Sequence, residues 1–206
     1  MRFHRENFDA RSYIQKMDTP EKYEEVYRVF ADFIFLNAEE PKIVLDVASG
    51  PGILSCALAE RWKDAKIVGL DISMEMIEYA KERARRKGCN NLEFVIGDAL
   101  ALPFKTELFD LIVCRGFLKV VSSPVKLLDE CCRVLKPGGK MCFSDTYYEG
   151  LSLLPEICRK REEYGVLEEA LKHSLRLSEI RELFSEIPSS IFLRGISVYI
   201  LARKRG

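Results

Sequence analysis

Three acids and a pair of glycines carry the clearest chemistry in this chain. Asp46 follows Val44 and Leu45 and leads through Val47, Ala48 and Ser49 into Gly50-Pro51-Gly52. Gly50 and Gly52 have no Cβ, so backbone amides can approach a ligand at the mouth of this turn. Residues 53–61 then read as a helix whose first N–H groups suit a carboxylate or phosphate. Asp71 closes the next apolar run, where an acid can accept hydrogen bonds from ribose hydroxyls. Asp98 closes a third run. Together these residues describe a pocket for a nucleoside cofactor.

Glycine spacing narrows the choice. A dinucleotide fingerprint needs a third glycine at position 55, which is Ser55. Asp46 would also set a negative charge against a pyrophosphate at the loop entrance, whereas it suits a ligand with a cationic amino group. The run Asp46-Val47-Ala48-Ser49-Gly50-Pro51-Gly52 resembles the first motif of the class I S-adenosylmethionine-dependent methyltransferases, acid-x-Gly-x-Gly-x-Gly, with Ala48 in place of the first glycine. Asp71-Ile72-Ser73 is similar to the second motif, whose acid binds the ribose. Residues 92–99 resemble the third strand, whose terminal Asp98-Ala99 reads the adenine ring. Residues 109–114 resemble the fourth strand, and 133–140 the helix-turn-strand signature before the fifth.

The resemblance covers roughly 42–146 and implies S-adenosylmethionine as cofactor, with S-adenosylhomocysteine as product. Carried onto this chain, it points to cofactor contacts at Asp46, Ala48, Ser49, Gly50, Gly52, Asp71, Asp98 and Ala99, with Ile72 and Met76 against the adenine. Arg115 is a further cofactor-site candidate, where the fourth strand opens toward the transferring methyl. It either holds an anionic group on the acceptor or pairs with a nearby acid. No catalytic residue is assigned. His4 and His173 lie outside the core motifs, and many relatives carry a histidine pair where this chain has Lys119-Val120. Methyl transfer from an activated sulfonium needs little beyond alignment and exclusion of water.

These residues must be positioned by alternating strands and helices. Apolar runs without clean alternation predict buried parallel strands at 42–47, 66–71, 92–97, 109–114 and 140–145. Ser73 can cap a helix through Lys87, with Gly88 as its terminator. Ser123 can cap another, with Pro124 in its first turn and an apolar stripe of Leu127, Leu128, Cys131, Val134 and Leu135. A further helix is predicted over 178–187, followed by a hairpin turning at Arg194-Gly195. The fold class is α/β. The resemblance implies a doubly wound Rossmann-like sheet of seven strands in the order 3-2-1-4-5-7-6, the last strand antiparallel. Asp46, Asp71, Asp98 and Cys114 then fall at strand carboxyl ends, where ligands bind in such sheets.

At 206 residues the chain fits a single domain, 1–206. Residues 1–40 read as a helical cap, with Val26, Phe30, Phe33, Ile34 and Asn37 at helical spacing; 147–177 read as a helical insertion forming part of a substrate lid. Lys+Arg and Asp+Glu balance at 32 each, giving no overall field for nucleic acid or an anionic membrane. No apolar run approaches the roughly 20 residues needed to span a bilayer. Arg2, His4, Arg5, Glu6 and Asp9 leave no apolar signal-peptide core, so the protein reads as cytoplasmic. The 7 cysteines form no C-x-x-C pair, which favours core packing over a metal site or disulfides. The competing reading is thiolate ligation of a metalloid acceptor. The expected acceptor is a small molecule. An RNA or protein acceptor, whose amino-methylating enzymes carry an Asn/Asp-Pro-Pro-Tyr/Phe sequence absent here, is the alternative. An inactive cofactor-binding regulatory module is another, motivated by Ala48 and the missing histidines.

Overall fold

In the computed structural model, which describes residues 20–152 and 174–205, seven strands make one sheet. They are β1 (Ile43–Val47), β2 (Lys66–Asp71), β3 (Leu92–Ile96), β4 (Phe109–Arg115), β5 (Leu135–Thr146), β6 (Ser189–Arg194) and β7 (Ser197–Arg203). Their order is β3-β2-β1-β4-β5-β7-β6. β7 runs antiparallel to β5 and β6, and the remaining neighbours are parallel. This is the order implied by the resemblance.

Parallel neighbours require crossovers, and the crossovers cover both faces of the sheet. On one face lie α1 (Pro20–Asn37), α2 (Ile53–Arg61) and α3 (Met74–Lys87); α4 (Pro124–Val134) and α6 (Leu177–Leu183) lie on the other, with the short α5 (Tyr148–Ser152) following β5. Strand residues divide between them. Val44, Ile67, Leu111 and Val113 join Phe30, Ile34 and Leu54 on the α1 face. Leu45, Leu70, Ile112 and Phe143 join Leu127, Cys131 and Phe184 on the α4 face. Fully burying each such side chain stabilises the fold by about 1.5–3 kcal/mol. Two buried faces explain why the strands read as unbroken apolar runs.

Helix ends follow their side chains. Ser73 Oγ accepts the Met76 N–H, and Gly88, at φ 66, closes α3. Ser123 Oγ accepts the Lys126 N–H beneath Pro124. Where the chain departs from its expected elements, the causes are local. Leu135, expected on the helical stripe, instead opens β5, so that strand begins at 135 rather than 140. The residue before a proline avoids helical conformation, and Lys136-Pro137 therefore ends α4 early. Phe109 pairs with Leu135 while Leu111 pairs with Lys140, so the extra residues of β5 bulge out of the β4–β5 ladder. α6 begins at Leu177 and ends at Leu183 instead of spanning 178–187. A turn at Phe184, with Pro188 beyond, redirects the chain into β6. β1 starts at Ile43 rather than 42, and the Lys42 and Ile43 N–H groups both go to the Asp110 carboxylate. β3 ends at Ile96 and β4 runs on to Arg115.

α1 belongs to the core. Phe30 and Ile34 are fully buried, and Phe33 packs 5.2 Å from the Tyr199 ring of β7 and 5.4 Å from Phe192 of β6. Five cysteines (56, 89, 114, 131 and 142) are buried and Cys132 partly so, all with free thiols. Among the described residues no cluster of ligands could hold a metal, and no helix is long and apolar enough to cross a membrane. His4, His173, Cys158 and the cap and lid segments 1–19 and 153–173 lie outside the described residues.

Candidate functional site

The carboxyl ends of β1 and β2 are locked together by the turn between β1 and α2. Ala48, Gly50 and Gly52 all adopt left-handed conformations, at φ 55, 51 and 75. This winding turns the Ser49 N–H onto the Leu70 carbonyl at 2.9 Å and the Gly52 N–H onto the Ser49 carbonyl at 3.1 Å. It also delivers the Gly50 N–H to Asp71 Oδ2 at 2.9 Å. Asp71 Oδ1 accepts the Ser73 N–H at 3.0 Å from the start of α3. Both carboxylate oxygens are therefore oriented by backbone, each with lone-pair capacity left for a ligand. Burial raises the Asp71 carboxyl, and the N–H groups of Ser73, Gly50 and Ile72 pull it back.

Glycine serves two purposes in this turn. A Cβ at Gly50 would meet nothing within 4 Å, whereas at Gly52 it would come within 2.9 Å of both Ala80 and Phe94. A Cβ at Gly69 would lie 2.5 Å from the same Phe94 ring. Phe94 thus presses between turn and sheet, a role that spacing around Gly50 and Gly52 did not reveal.

Asp46 is placed differently from its sequence expectation. It is only 1% exposed, and Ser55 Oγ donates to its Oδ2 at 2.5 Å. The Ser55 backbone N–H also reaches it, so Asp46 closes the amino end of α2. Burial pushes its carboxyl up to about 7, and the nearby Asp71 charge adds to the rise, against the Ser55 hydrogen bonds. Ser55 entered the sequence reading only as a missing glycine; its hydroxyl turns out to orient the motif's acid.

A further set of groups stands at the ends of β2 and β3. The Gly97 N–H bonds to the Asp71 carbonyl at 3.0 Å, extending the β2–β3 pairing one residue and setting Asp98 beside the Asp71–Ile72 peptide. Asp98 Oδ1 accepts the Leu100 N–H at 2.9 Å, and Ala99 is buried. Ile72 is 39% exposed and Met76 only 2%, so Ile72 is the apolar group presented there.

A second polar cluster stands at the ends of β4 and β5. Lys119 Nζ lies 3.1 Å from Asp145 Oδ1 and donates to Thr146 Oγ1 at 3.0 Å. The Lys119 and Thr146 backbone N–H groups also reach Asp145, at 3.3 and 2.8 Å. Thr146 Oγ1 is 3.4 Å from Ser174 Oγ, and Tyr147 bridges Leu175. Asp145 is an acid at a strand end, like Asp46 and Asp71, and that shared position was the signal that could have marked it. Burial keeps the Cys114 thiol far above its ordinary value, which leaves it a core residue.

A family profile described as a methyltransferase domain matches residues 38–187. The chain belongs to the class I S-adenosylmethionine-dependent methyltransferases. This methyltransferase is 30% identical over 166 residues to the demethylmenaquinone methyltransferase of Oceanobacillus iheyensis, a match covering 72% of this chain and 70% of that protein. It is 40% identical over 100 residues to the ubiquinone/menaquinone biosynthesis C-methyltransferase UbiE of Francisella philomiragia, covering 48% of this chain and 40% of that one. In structure it resembles a SAM-dependent methyltransferase from Aquifex aeolicus, with TM-score 0.75, 23% identity, and 95% and 98% of the two chains covered.

Proposed function

We propose that this methyltransferase carries a methyl group from S-adenosylmethionine to a small-molecule acceptor, with the nucleoside held at Asp71 and Asp98 and the amino-acid end at the glycine turn. One observation carries the reading: a ribose-competent acid whose two oxygens are fixed by the turn itself, through Gly50, and by the start of α3. The residues also fit the cofactor. Ser49 Oγ is buried beside the turn without a hydrogen-bond partner, a donor that a ligand could satisfy. The space over Gly50 is open.

When bound, S-adenosylmethionine supplies a methyl group already activated on a sulfonium. The chain's part is to hold, orient and dry the crevice. Asp71 accepts from the ribose hydroxyls, Ile72 and Ala99 flank the adenine, and Asp98 accepts from its amino group. Asp46 keeps the turn against α2 through Ser55. The named relatives act in menaquinone and ubiquinone formation, which supports a small organic acceptor. The balanced charge and the absence of an Asn/Asp-Pro-Pro-Tyr/Phe sequence support it over RNA or protein. Reduced, buried cysteines suit a cytoplasmic setting.

Calorimetric titration tests this directly. S-adenosylhomocysteine binds and NAD does not, and Asp71→Ala weakens binding by about 10–100-fold, the worth of hydrogen bonds to a charged group. Asp98→Ala acts in the same direction but less. Preference for NAD, or unchanged affinity in a folded Asp71→Ala protein, removes the reading.

A further inference from the structure

Arg115 ends β4 with a half-buried guanidinium that meets no carboxylate among the described residues. Its Nε is sealed from solvent and makes no hydrogen bond. The alternative expected for this residue, pairing with a nearby acid, therefore does not occur there. Arginine keeps its charge in proteins, so desolvation without an acceptor is unfavourable. The Tyr27 ring of α1, 4.7 Å from the guanidinium carbon, offsets part of that cost. A ring contact consumes none of the five N–H donors. The guanidinium therefore keeps the planar fork that matches both oxygens of a carboxylate, with its Nε donor unused.

Strand register fixes where this edge stands. Val47 pairs with Cys114, so Arg115 is level with Ala48, the first left-handed residue of the turn. The separation is one strand spacing, about 5 Å. Asp46 pairs with Val113, and Arg115, two residues on, projects from the same sheet face. Asp71 ends β2, on the opposite side of β1. A cofactor with its ribose at β2 carries its amino-acid end across β1 toward β4. We propose that Arg115, steadied by Tyr27, binds a carboxylate in this crevice: that of the cofactor's amino-acid end, or one carried by the acceptor. This rests on the cofactor reading given above.

The test compares S-adenosylhomocysteine with its decarboxylated analogue, which keeps the nucleoside, thioether and amine. The unmodified protein prefers S-adenosylhomocysteine by about 10–100-fold, the range for a hydrogen-bonded charge pair. In Arg115→Met the two ligands bind alike, because only the affinity for S-adenosylhomocysteine falls. Arg115→Lys keeps the charge without the fork, so its preference drops several-fold; this variant decides the matter if Arg115→Met does not fold. In a second arm, benzoate is titrated into protein saturated with S-adenosylhomocysteine. Benzoate binding that Arg115→Met abolishes, with S-adenosylhomocysteine affinity intact, moves the carboxylate to the acceptor. An undiminished preference in both variants, together with no Arg115-dependent benzoate binding, overturns the proposal. Asp71→Ala reports on the cofactor reading separately, since it weakens both nucleosides equally.

Discussion

On the β2 side of β1, the groups offered to a ligand are held by backbone: Asp71 by the N–H groups of Gly50 and Ser73, and the turn by Ser49 on Leu70. On the β4–β5 side, side chains also reach one another, although the Lys119 and Thr146 N–H groups hold Asp145 as well. Lys119, Asp145, Thr146 and Ser174 form one set, and Arg115 with Tyr27 forms another. A backbone-held site depends on one turn that few sequences can wind, so its residues keep a fixed spacing. A side-chain-held site draws on positions far apart in the chain, and each can change while the sheet persists. The β2 side is accordingly written as a motif, and the β4–β5 side is written only in three dimensions.

The comparison breaks most readily at Gly52. Any side chain at φ 75 costs roughly 1–2 kcal/mol, and overpacking adds about 1–3 kcal/mol. The clash with Ala80 and Phe94, each at 2.9 Å, makes the second contribution unavoidable for a branched residue. Gly52→Val is expected to lose about 2–5 kcal/mol of unfolding free energy in chemical denaturation. Gly50→Ala, with nothing within 4 Å of its new Cβ, carries only the conformational part, about 0–1.5 kcal/mol once the lower freedom of the unfolded chain is counted. Equal losses at the two positions would show that winding, and not the fit against Phe94, determines the turn.

Most of the fold was legible in the sequence because burial on both sheet faces writes strands as apolar runs and caps write helix ends. Ser73, Gly88 and Ser123 act where their chemistry put them. The β5 bulge was not legible, since apolar Leu135 continues the helical stripe and only the proline two residues on contradicts it. At the site, the positions of Asp71 and the glycines followed from spacing. The Ser55 clamp on Asp46, the Tyr27 contact and the Lys119–Asp145 pair did not, because each joins elements that periodicity treats separately.

A subtler test asks whether Asp46 sits as deep as the turn requires. Its carboxyl is raised from 3.8 to about 7, so the folded protein keeps a proton that the unfolded chain releases in between. The sign follows from linkage: stability from this proton is fully present below 3.8 and lost as pH rises through about 7. The unfolding free energy of the unmodified protein minus that of Asp46→Asn, measured over that range without ligand, should fall with rising pH and then level. Glu130, held below its ordinary value by Arg133, drives the total curve the other way. The difference between the two proteins removes that contribution. A difference independent of pH would mean that Asp46 is ionised throughout and better solvated than its 1% exposure indicates.

The smallest expected effect lies at Ala48, the one place where the turn departs from the glycines of the family motif. At φ 55 its Cβ crowds the backbone, a strain of about 1–2 kcal/mol for an L-residue. The strain is borne because hydrogen bonds on the following residue over-determine the turn: the Ser49 N–H to Leu70 at 2.9 Å and the Ser49 carbonyl from Gly52 at 3.1 Å. Ala48→Gly relieves it but gives the unfolded chain more freedom, which returns about 0.5–1 kcal/mol. The net expectation is a stabilisation of about 0–1.5 kcal/mol, read as a higher denaturation midpoint at unchanged slope. S-adenosylhomocysteine affinity should stay within a few-fold, since the hydrogen bonds that orient Asp71 come from Gly50 and Ser73. A loss of stability would instead assign the Ala48 methyl a packing role, and part of the turn would then be held by a side chain, as the β4–β5 side is.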